Sequence, residues 1–326
     1  MLKEHAEQRF RFEQKPAADG RHVQLPAVNV LMSTYNGDRY LAAQIDSILS
    51  QEGVDVRLHI RDDGSEDATA EILRTYEVDP RLRITFGTHM GVVGSFFALL
   101  QAADRSCEVF AFADQDDVWF PDKLRRAVRG LAPFADKPAI YTTRLVVTDS
   151  ALGPRGITPK WPRPPCFSNA LVENIVTGCA AALNRAALDL LLTPGEVPRQ
   201  AFVHDWWAYI VVSAFGTVVF DPVPSLYNRQ HGHNATGVGA TPLQRLFRKI
   251  RRQIGGGARG VIPAQATEFR RLYRDRLTAA HYMALERICA IDTIRGRIRT
   301  TLAPWRWRQT LLDDVAFRAL CLLGRI

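Results

Sequence analysis

The chain has 326 residues, of which 47% are hydrophobic and 23% are charged. This size suits one large α/β domain, or one such domain with a smaller addition, and it excludes a disordered chain. The formal net charge of +8 indicates an anionic partner. Five dispersed cysteines without a C-x-x-C pair exclude a disulfide framework and a structural zinc site, so we expect reduced thiols.

The first 26 residues are polar and irregular, and we expect a loose lead-in without the apolar core of a secretory signal. No stretch of the chain approaches the roughly 20 uninterrupted apolar residues of a membrane span. The sequence therefore predicts a cytoplasmic protein. This prediction leaves room for peripheral contact with the inner face of the cytoplasmic membrane.

Apolar runs rich in β-formers alternate with helical patterns in the first half of the chain. This alternation predicts a mainly parallel sheet with helices on both faces, in which crossovers are right-handed. Ser65 is the predicted N-cap of the second helix. The predicted strands are 28–33, 56–64, 81–86, 109–117 and 139–149, and the predicted helices are 37–51, 65–77, 91–104 and 121–131.

The second half is less regular. A proline-rich loop is predicted at 154–169, a helix within 177–192, and a helix followed by a strand over 204–222. Beyond residue 240 the chain is rich in arginine, and 241–257 has the pattern of an amphipathic helix whose apolar face either packs on the catalytic part or contacts a membrane. The predicted regions are the lead-in 1–26, an α/β domain 27–238 and a basic helical region 239–326, with further helices around 265–295 and 304–323.

Polar residues follow three predicted strands where each strand ends. The segments are "STYNGD", "RDDGSED" and "ADQDDVW". In open parallel sheets the carboxyl ends of the strands meet at one edge, where ligands bind. Asp114, Asp116 and Asp117 would repel one another there unless a divalent cation were present, and oxygen ligands favour Mg²⁺ or Mn²⁺. The alternative is a solvated acidic turn.

Other candidate residues are weaker when taken alone. Asp62 or Asp63 suits a nucleobase edge or a ribose, but an ordinary turn is equally compatible. Tyr35 is either a stacking platform or a half-buried aromatic. Asp205 precedes two tryptophans, and an apolar setting raises the pKa of a carboxylate towards that of a general base. The basic residues of "NRQHGHN" suit an anionic ligand or a metal.

Taken in order, "STYNG", "RDDGSED", "ADQDDVWFPDKL", "TGC", "HDWW" and "RQHGHN" resemble glycosyltransferase family 2. The resemblance covers roughly residues 27–235 and is greatest to the rhamnosyltransferase-like branch that builds bacterial surface polysaccharides. It implies a GT-A fold, which is Rossmann-like, here with a C-terminal helical extension. It also implies inverting transfer from a nucleotide-diphospho-sugar.

The resemblance assigns a role to each candidate. Tyr35 would stack on the base, Asp63 would bind the N3 edge of the base, and Asp114 would lie near the ribose. Asp205 would be the general base, although the neighbouring His204, where many members have Glu, is a competing base. The remaining assignments are Asp116 as metal ligand with Asp117 in support, Arg229 and His231 at the diphosphate or metal, and Ser33 and Asp62 in the same nucleotide-sugar site.

The implied activity is metal-dependent transfer of rhamnose from dTDP-rhamnose to a glycan acceptor, which is expected to be lipid-linked. Absence of a Q-x-x-R-W motif favours the addition of one sugar over polymerisation. UDP-sugars are the alternative donors, because uracil and thymine share the same N3 edge. A metal-dependent phosphatase is the alternative from another class, and nucleic acid is not an expected partner because the basic residues lack interleaved aromatics.

Overall fold

A computed structural model of the protein describes residues 25–231 and 260–326. Most of the lead-in, the amphipathic pattern at 241–257 and His233 lie outside these residues, so the predictions made for them stay predictions. The described part consists of a large sheet with helices on both faces, a small second sheet, and a group of helices at the C-terminus.

The large sheet has seven strands in the described residues, in the order β10-β6-β9-β4-β1-β2-β3. All neighbours are parallel except β9, which runs antiparallel to both β4 and β6. The predicted mainly parallel sheet is therefore confirmed. The strands are β1 (Ala27–Thr34), β2 (Asp55–Asp62), β3 (Leu82–Phe86), β4 (Val109–Ala113), β6 (Ala139–Thr143), β9 (Ala182–Asn184) and β10 (Thr217–Asp221).

Alternate side chains of the central strand β1 enter two separate cores, because successive residues of a strand face opposite sides of the sheet. Val30 packs in the core beneath α1, α2 and α4, and Leu31 packs in the core beneath α3, α6 and α7. The helices are α1 (Leu41–Leu49), α2 (Thr69–Tyr76), α3 (Gly91–Gln101), α4 (Lys123–Leu131), α5 (Phe167–Ala170), α6 (Arg185–Leu192) and α7 (His204–Phe215).

The small sheet has the strand order β5-β11-β7-β8 and corrects two predictions. The predicted strand 139–149 is interrupted at Arg144 and Leu145, and its two halves join different sheets. A continuous pattern of β-forming residues does not reveal this break. The proline-rich segment is not wholly a loop, because an edge strand that pairs on one side only tolerates Pro154. The strands are β5 (Val118–Trp119), β7 (Val146–Thr148), β8 (Pro154–Ile157) and β11 (Leu226–Arg229).

The prediction of Ser65 as an N-cap is wrong. Helix α2 begins four residues later, at Thr69, and the backbone N–H of Thr69 donates to Asp67. The Ser65 hydroxyl instead donates to Asp62 and accepts from the backbone of Asn36. It therefore ties the loop after β1 to the loop after β2.

The C-terminal helices pack on the sheet domain rather than lying apart from it. Phe269, Leu285 and Trp307 belong to the same core as Trp207 of α7. No helix of residues 25–231 or 260–326 has the length and hydropathy that crossing a bilayer requires. These helices are α8 (Val261–Tyr273), α9 (Ala279–Cys289), α10 (Ile294–Thr301) and α11 (Leu311–Leu322).

The chain turns from α7 into β10 at Gly216, where a side chain does not fit. A Cβ atom there would lie 1.9 Å from the carbonyl oxygen of Pro138. We expect Gly216→Ala to lower the free energy of unfolding by about 2–3 kcal/mol, measured by chemical denaturation, because overpacking displaces backbone. Gly195→Ala is the control: Gly195 has a φ of +71° but an open surrounding, and should lose only about 1 kcal/mol. Equal losses would show that space is not the cause.

Candidate active site

The carboxyl ends of β1, β2 and β4 meet at one edge of the sheet, as predicted, and Gln115 joins two of them. Its side-chain oxygen accepts from the Thr34 hydroxyl at 2.6 Å and from the Tyr35 backbone N–H at 2.8 Å. The backbone N–H of Asp63 donates to the carbonyl of Thr34 at 2.8 Å. The three polar segments therefore form one continuous rim.

Asp62 and Asp63 are both buried at this rim, and each has partners within the chain. Asp62 accepts from Ser65. The carboxylate of Asp63 pairs with Arg61 and accepts from the backbone N–H of Gly91 at 2.9 Å, at the start of α3. Asp63 thus holds the first turn of α3 against the end of β2, and its predicted contact with a base stays a prediction.

Tyr35 and Ser33 lie on the same rim. Tyr35 is exposed, and its ring centroid is 4.4 Å from that of His89. An exposed aromatic pair of this kind suits stacking on a nucleobase. The hydroxyl of Ser33 lies 2.6 Å from the hydroxyl of Ser95 in α3, so Ser33 contributes to strand–helix packing.

Asp114 and Asp117 face each other beside a buried thiol. Their oxygen atoms and the sulfur of Cys179 all lie within 4.8 Å of one another. Burial, and then the charge of Asp117, raises the pKa of Asp114 well above its usual range. Burial and the charge of Asp116 raise the pKa of Asp117 to about 7. The cluster therefore favours a positive partner.

Asp116 is paired with His231. The His231 Nε2 atom is 2.7 Å from the Asp116 carboxylate. The guanidinium of Arg229 contacts the backbone of two segments. Its Nε donates to the Asp116 carbonyl at 3.0 Å and its Nη1 to the Ser150 carbonyl at 2.6 Å. The guanidinium also lies 4.4 Å from the ring centroid of Tyr40. Arg229 thus links the acidic loop to the backbone at Ser150.

The residues at this rim fit a divalent cation. The Oδ1 atom of Asp117 accepts from Asn228 at 2.9 Å, whereas its Oδ2 atom is buried and has no hydrogen-bond partner among the described residues. An orphaned carboxylate oxygen is costly unless a ligand satisfies it. Carboxylate and imidazole ligands together, from Asp116 and His231, are compatible with Mn²⁺ and less typical of Mg²⁺.

Asp205 lies in the first turn of α7, where its carboxylate is held from two sides. Its Oδ2 accepts from the Gly178 backbone N–H at 2.7 Å, and its Oδ1 accepts from the Asn174 side chain at 3.2 Å. Burial raises its pKa to about 6. Its charge also reaches Asp114, whose pKa it helps to raise. Asp205 is therefore close to the acidic cluster and suited to accept a proton near neutral pH.

His204 is disfavoured as a competing base. Its ring stacks on Phe96 with centroids 3.6 Å apart, and neither ring nitrogen has a hydrogen-bond partner in the described part of the chain. Burial lowers its pKa to about 3. A neutral imidazole enclosed by aromatic rings packs as a core residue.

Sequence reasoning missed the residues that support the acids. Asn174 and Asn228 are single amides in ordinary loops, and no spacing marks them. The sequence predicts Cys179 only as a reduced thiol, although it lies in the "TGC" segment that the resemblance includes. Lys123 is buried with its Nζ 4.2 Å from the ring centroid of Trp119, and burial lowers its pKa to about 8 although Cys179 and Asp117 oppose the shift. Because lysine side chains are usually exposed, the sequence does not predict the burial of Lys123, which only the packing shows.

The fold and the comparison with protein families together define the class of enzyme. The model of the glycosyl transferase family 2 matches residues 29–192, about half of the chain, and the protein belongs to this family. It is a glycosyltransferase. The family assignment decides against the alternative of a phosphatase.

Two curated relatives and one solved structure are similar over longer stretches. The dTDP-rhamnosyl transferase RfbG of Shigella flexneri is 24% identical over 63% of this chain and 73% of its own. The UDP-Glc:alpha-D-GlcNAc-diphosphoundecaprenol beta-1,3-glucosyltransferase WfgD of Escherichia coli is 26% identical over 57% and 68%. TarS 1-349 of S. aureus, crystallised with UDP-GlcNAc, superposes with a TM-score of 0.58 at 14% identity, covering 91% of this chain and 82% of TarS, which confirms the GT-A-like fold.

Proposed function

We propose that the protein is an inverting, metal-dependent, non-processive glycosyltransferase that transfers rhamnose from dTDP-rhamnose to a hydroxyl of a bacterial surface-polysaccharide acceptor. The observation that supports this proposal most is the placement of Asp205. Its carboxylate is held by Gly178 and Asn174 beside the acidic rim, and its pKa is raised to about 6. A single general base beside a cluster of carboxylates that favours a cation suits a reaction in which a nucleoside diphosphate is the leaving group.

In this mechanism Asp205 accepts the proton of the acceptor hydroxyl as its oxygen attacks the anomeric carbon. Attack comes from the face opposite the departing nucleoside diphosphate, so configuration inverts. Asp116 and His231 would hold Mg²⁺ or Mn²⁺, which when bound supplies positive charge to the diphosphate. The leaving group needs no general acid, which explains why one working carboxylate suffices, unlike the pair of a glycosidase.

The choice of dTDP-rhamnose rests on the name of the Shigella relative. WfgD and TarS are named with UDP-glucose and UDP-GlcNAc, so a UDP-sugar is the second candidate donor. Asp63 does not separate the two, because both pyrimidines offer the same N3 edge to a carboxylate. The two nucleotides differ in the methyl group of thymine and in the 2′-hydroxyl, which UDP carries and dTDP lacks, and a pocket wall could sense either difference.

Calorimetric titration with dTDP and UDP, each with Mn²⁺, with Mg²⁺ and with EDTA, tests the donor assignment. We expect binding that requires metal, and the tighter nucleotide identifies the donor class. Transfer assays with the matching nucleotide-sugar follow from that result. If neither nucleotide binds in the presence of Mn²⁺ or Mg²⁺, the proposed donor site is wrong.

The acceptor is proposed to be lipid-linked, because WfgD is named for an alpha-D-GlcNAc-diphosphoundecaprenol substrate. An enzyme acting on such a substrate works beside a bilayer. We therefore propose peripheral contact with the inner face of the cytoplasmic membrane through the C-terminal helices, and nucleic acid is not proposed as a partner.

The pH dependence of kcat/KM should follow the ionisation of Asp205. Only the deprotonated carboxylate accepts a proton, so activity should fall about ten-fold per pH unit below pH 6 and level off above it. Asn174→Ala removes a donor that favours the charged form, which raises the pKa of Asp205. The acid limb should therefore move to higher pH in this variant, and a limb that stays in place would contradict the role of Asn174.

A further inference from the structure

Helix α10 has an exposed apolar stripe. Ile294, Ile298 and Leu302 recur every four residues and are 75%, 46% and 74% exposed. Residues four apart lie on one face of a helix. The opposite face, with Gly296 and Thr300, is buried in the protein. The stripe is therefore the outermost part of the helix and is not used for packing within the described chain.

Helix α11 repeats this arrangement. Its buried side, with Phe317, Leu320 and Cys321, closes the core. The apolar residues at its surface are at least half exposed, namely Leu311, Leu312, Val315, Leu322 and Leu323. At about 100° per residue these positions cover one sector of the helix surface, roughly opposite the buried side. Large aliphatic side chains thus cover the outer faces of two consecutive helices.

The two helices run antiparallel, which turns both stripes to the same side. The Cys321 thiol contacts the Arg297 carbonyl at 3.7 Å in the middle of α10, and the Thr301 hydroxyl donates to the Arg318 carbonyl at 3.4 Å at its end. The position of each stripe can be given as a rotation about its helix axis, counted from the side that contacts the other helix and in the direction of increasing residue number. This rotation is about 80° on α10 and about 110° on α11. Because the helices point in opposite directions, the two rotations bring the stripes onto one common face. We call this face the apolar face.

Arginines border the apolar face on the side of α9. Arg295 and Arg299 are exposed and form no ion pair within residues 25–231 and 260–326. They line a cavity of about 350 Å³ between α9 and α10, together with Arg287 and the exposed side chains of Tyr282 and Met283. The acid in this cavity, Glu286, lies 3.4 Å from Arg270 and is partly neutralised. The border is therefore cationic beside an apolar surface.

We propose that the apolar face docks on a bilayer containing anionic phospholipids. The aliphatic side chains enter the interfacial region, and Arg295 and Arg299 contact lipid phosphates at the cavity. A second copy of the chain fits less well, because it offers Arg295 and Arg299 no anionic groups comparable to lipid phosphates, and a two-fold axis across the helices would place the two arginine borders opposite each other. The reason for membrane contact rests on the proposed function, in which the acceptor is lipid-linked. The surface itself is defined by the exposed residues of α9, α10 and α11.

Flotation of the full-length protein with vesicles tests the proposal without donor or acceptor. We expect binding to phosphatidylglycerol vesicles and weak binding to phosphatidylcholine vesicles. A triple variant, Ile294→Gln, Leu302→Gln and Leu312→Gln, should reduce partitioning by about ten-fold or more, because apolar area is lost. Arg295→Gln with Arg299→Gln should lose most of the preference for the anionic lipid.

Matched controls are available elsewhere on the surface. Val78 is 88% exposed on the turn before β3, and Val78→Gln should float like the wild type, as should Arg129→Gln. Failure of the wild type to bind, or triple-variant binding equal to that of the wild type, would overturn the proposal. So would sedimentation of the wild type as a dimer that the triple variant dissociates, without vesicle binding. Nucleotide titration of the same variants reports on the proposed function separately, and unchanged donor affinity is expected.

Discussion

Replacing Asp205 by asparagine is expected to lower kcat for sugar transfer by about 10²- to 10⁴-fold, the usual contribution of a general base. The amide oxygen still accepts from the Gly178 N–H, which holds the carboxylate at 2.7 Å, so the local fold should persist. What is lost is the site for the proton of the acceptor hydroxyl. Steady-state transfer assays measure the loss, and calorimetry should show donor affinity close to that of the wild type.

Asp189→Asn is a suitable control for this change. Asp189 is an exposed carboxylate on α6 that pairs with Arg105, away from the rim, and its loss should leave kcat unchanged. Activity of Asp205→Asn within a few-fold of the wild type would refute the assignment. Because the ring nitrogens of His204 have no hydrogen-bond partner within residues 25–231 and 260–326 and the ring is stacked on Phe96, the base would then have to come from another side chain of the rim.

The sequence predicts those residues of the candidate site that directly follow the carboxyl end of a strand. Thr34, Asp62 and Asp114 follow or end three parallel strands, so their convergence at one edge depends on the parallel direction of the strands. Alternation of apolar runs and helical patterns predicts that direction, although it does not predict the order of the strands. The acids could therefore be assigned to one rim before any contact was known.

The supporting shell depends on contacts between distant residues, which no local pattern encodes. Asn228 reaches Asp117 from 111 residues further along the chain, and Asn174 reaches Asp205 from a loop 31 residues before it. The antiparallel strand β9 has only three residues, Ala182–Asn184, too few for a period to be visible. Its place between β4 and β6 is decided by the tertiary fold, as is the burial of Lys123 beneath Trp119.

Replacing Asp116 by alanine is expected to lower kcat/KM by about 10³-fold and to weaken nucleotide binding in the presence of Mn²⁺. Its carboxylate lies 2.7 Å from His231, and the two side chains form the proposed metal site. His231→Asn should cost less, about 10- to 100-fold, because the carboxylate remains. Asp122→Asn is the control, since Asp122 makes no capping hydrogen bond to α4 and lies outside the rim.

The change in nucleotide affinity that Asp116→Ala causes in the absence of metal shows whether Asp116 is a metal ligand or an acid that supports the fold. Asp114, Asp116, Asp117 and Asp205 place several carboxyl groups around a site that is to receive a diphosphate, and like charges repel. In EDTA, therefore, Asp116→Ala should bind dTDP or UDP as well as the wild type or better, because one negative charge is gone. With Mn²⁺ the order should reverse. If the variant binds more weakly under both conditions, Asp116 supports the loop fold instead, and if it binds equally under both, the metal is held by other residues.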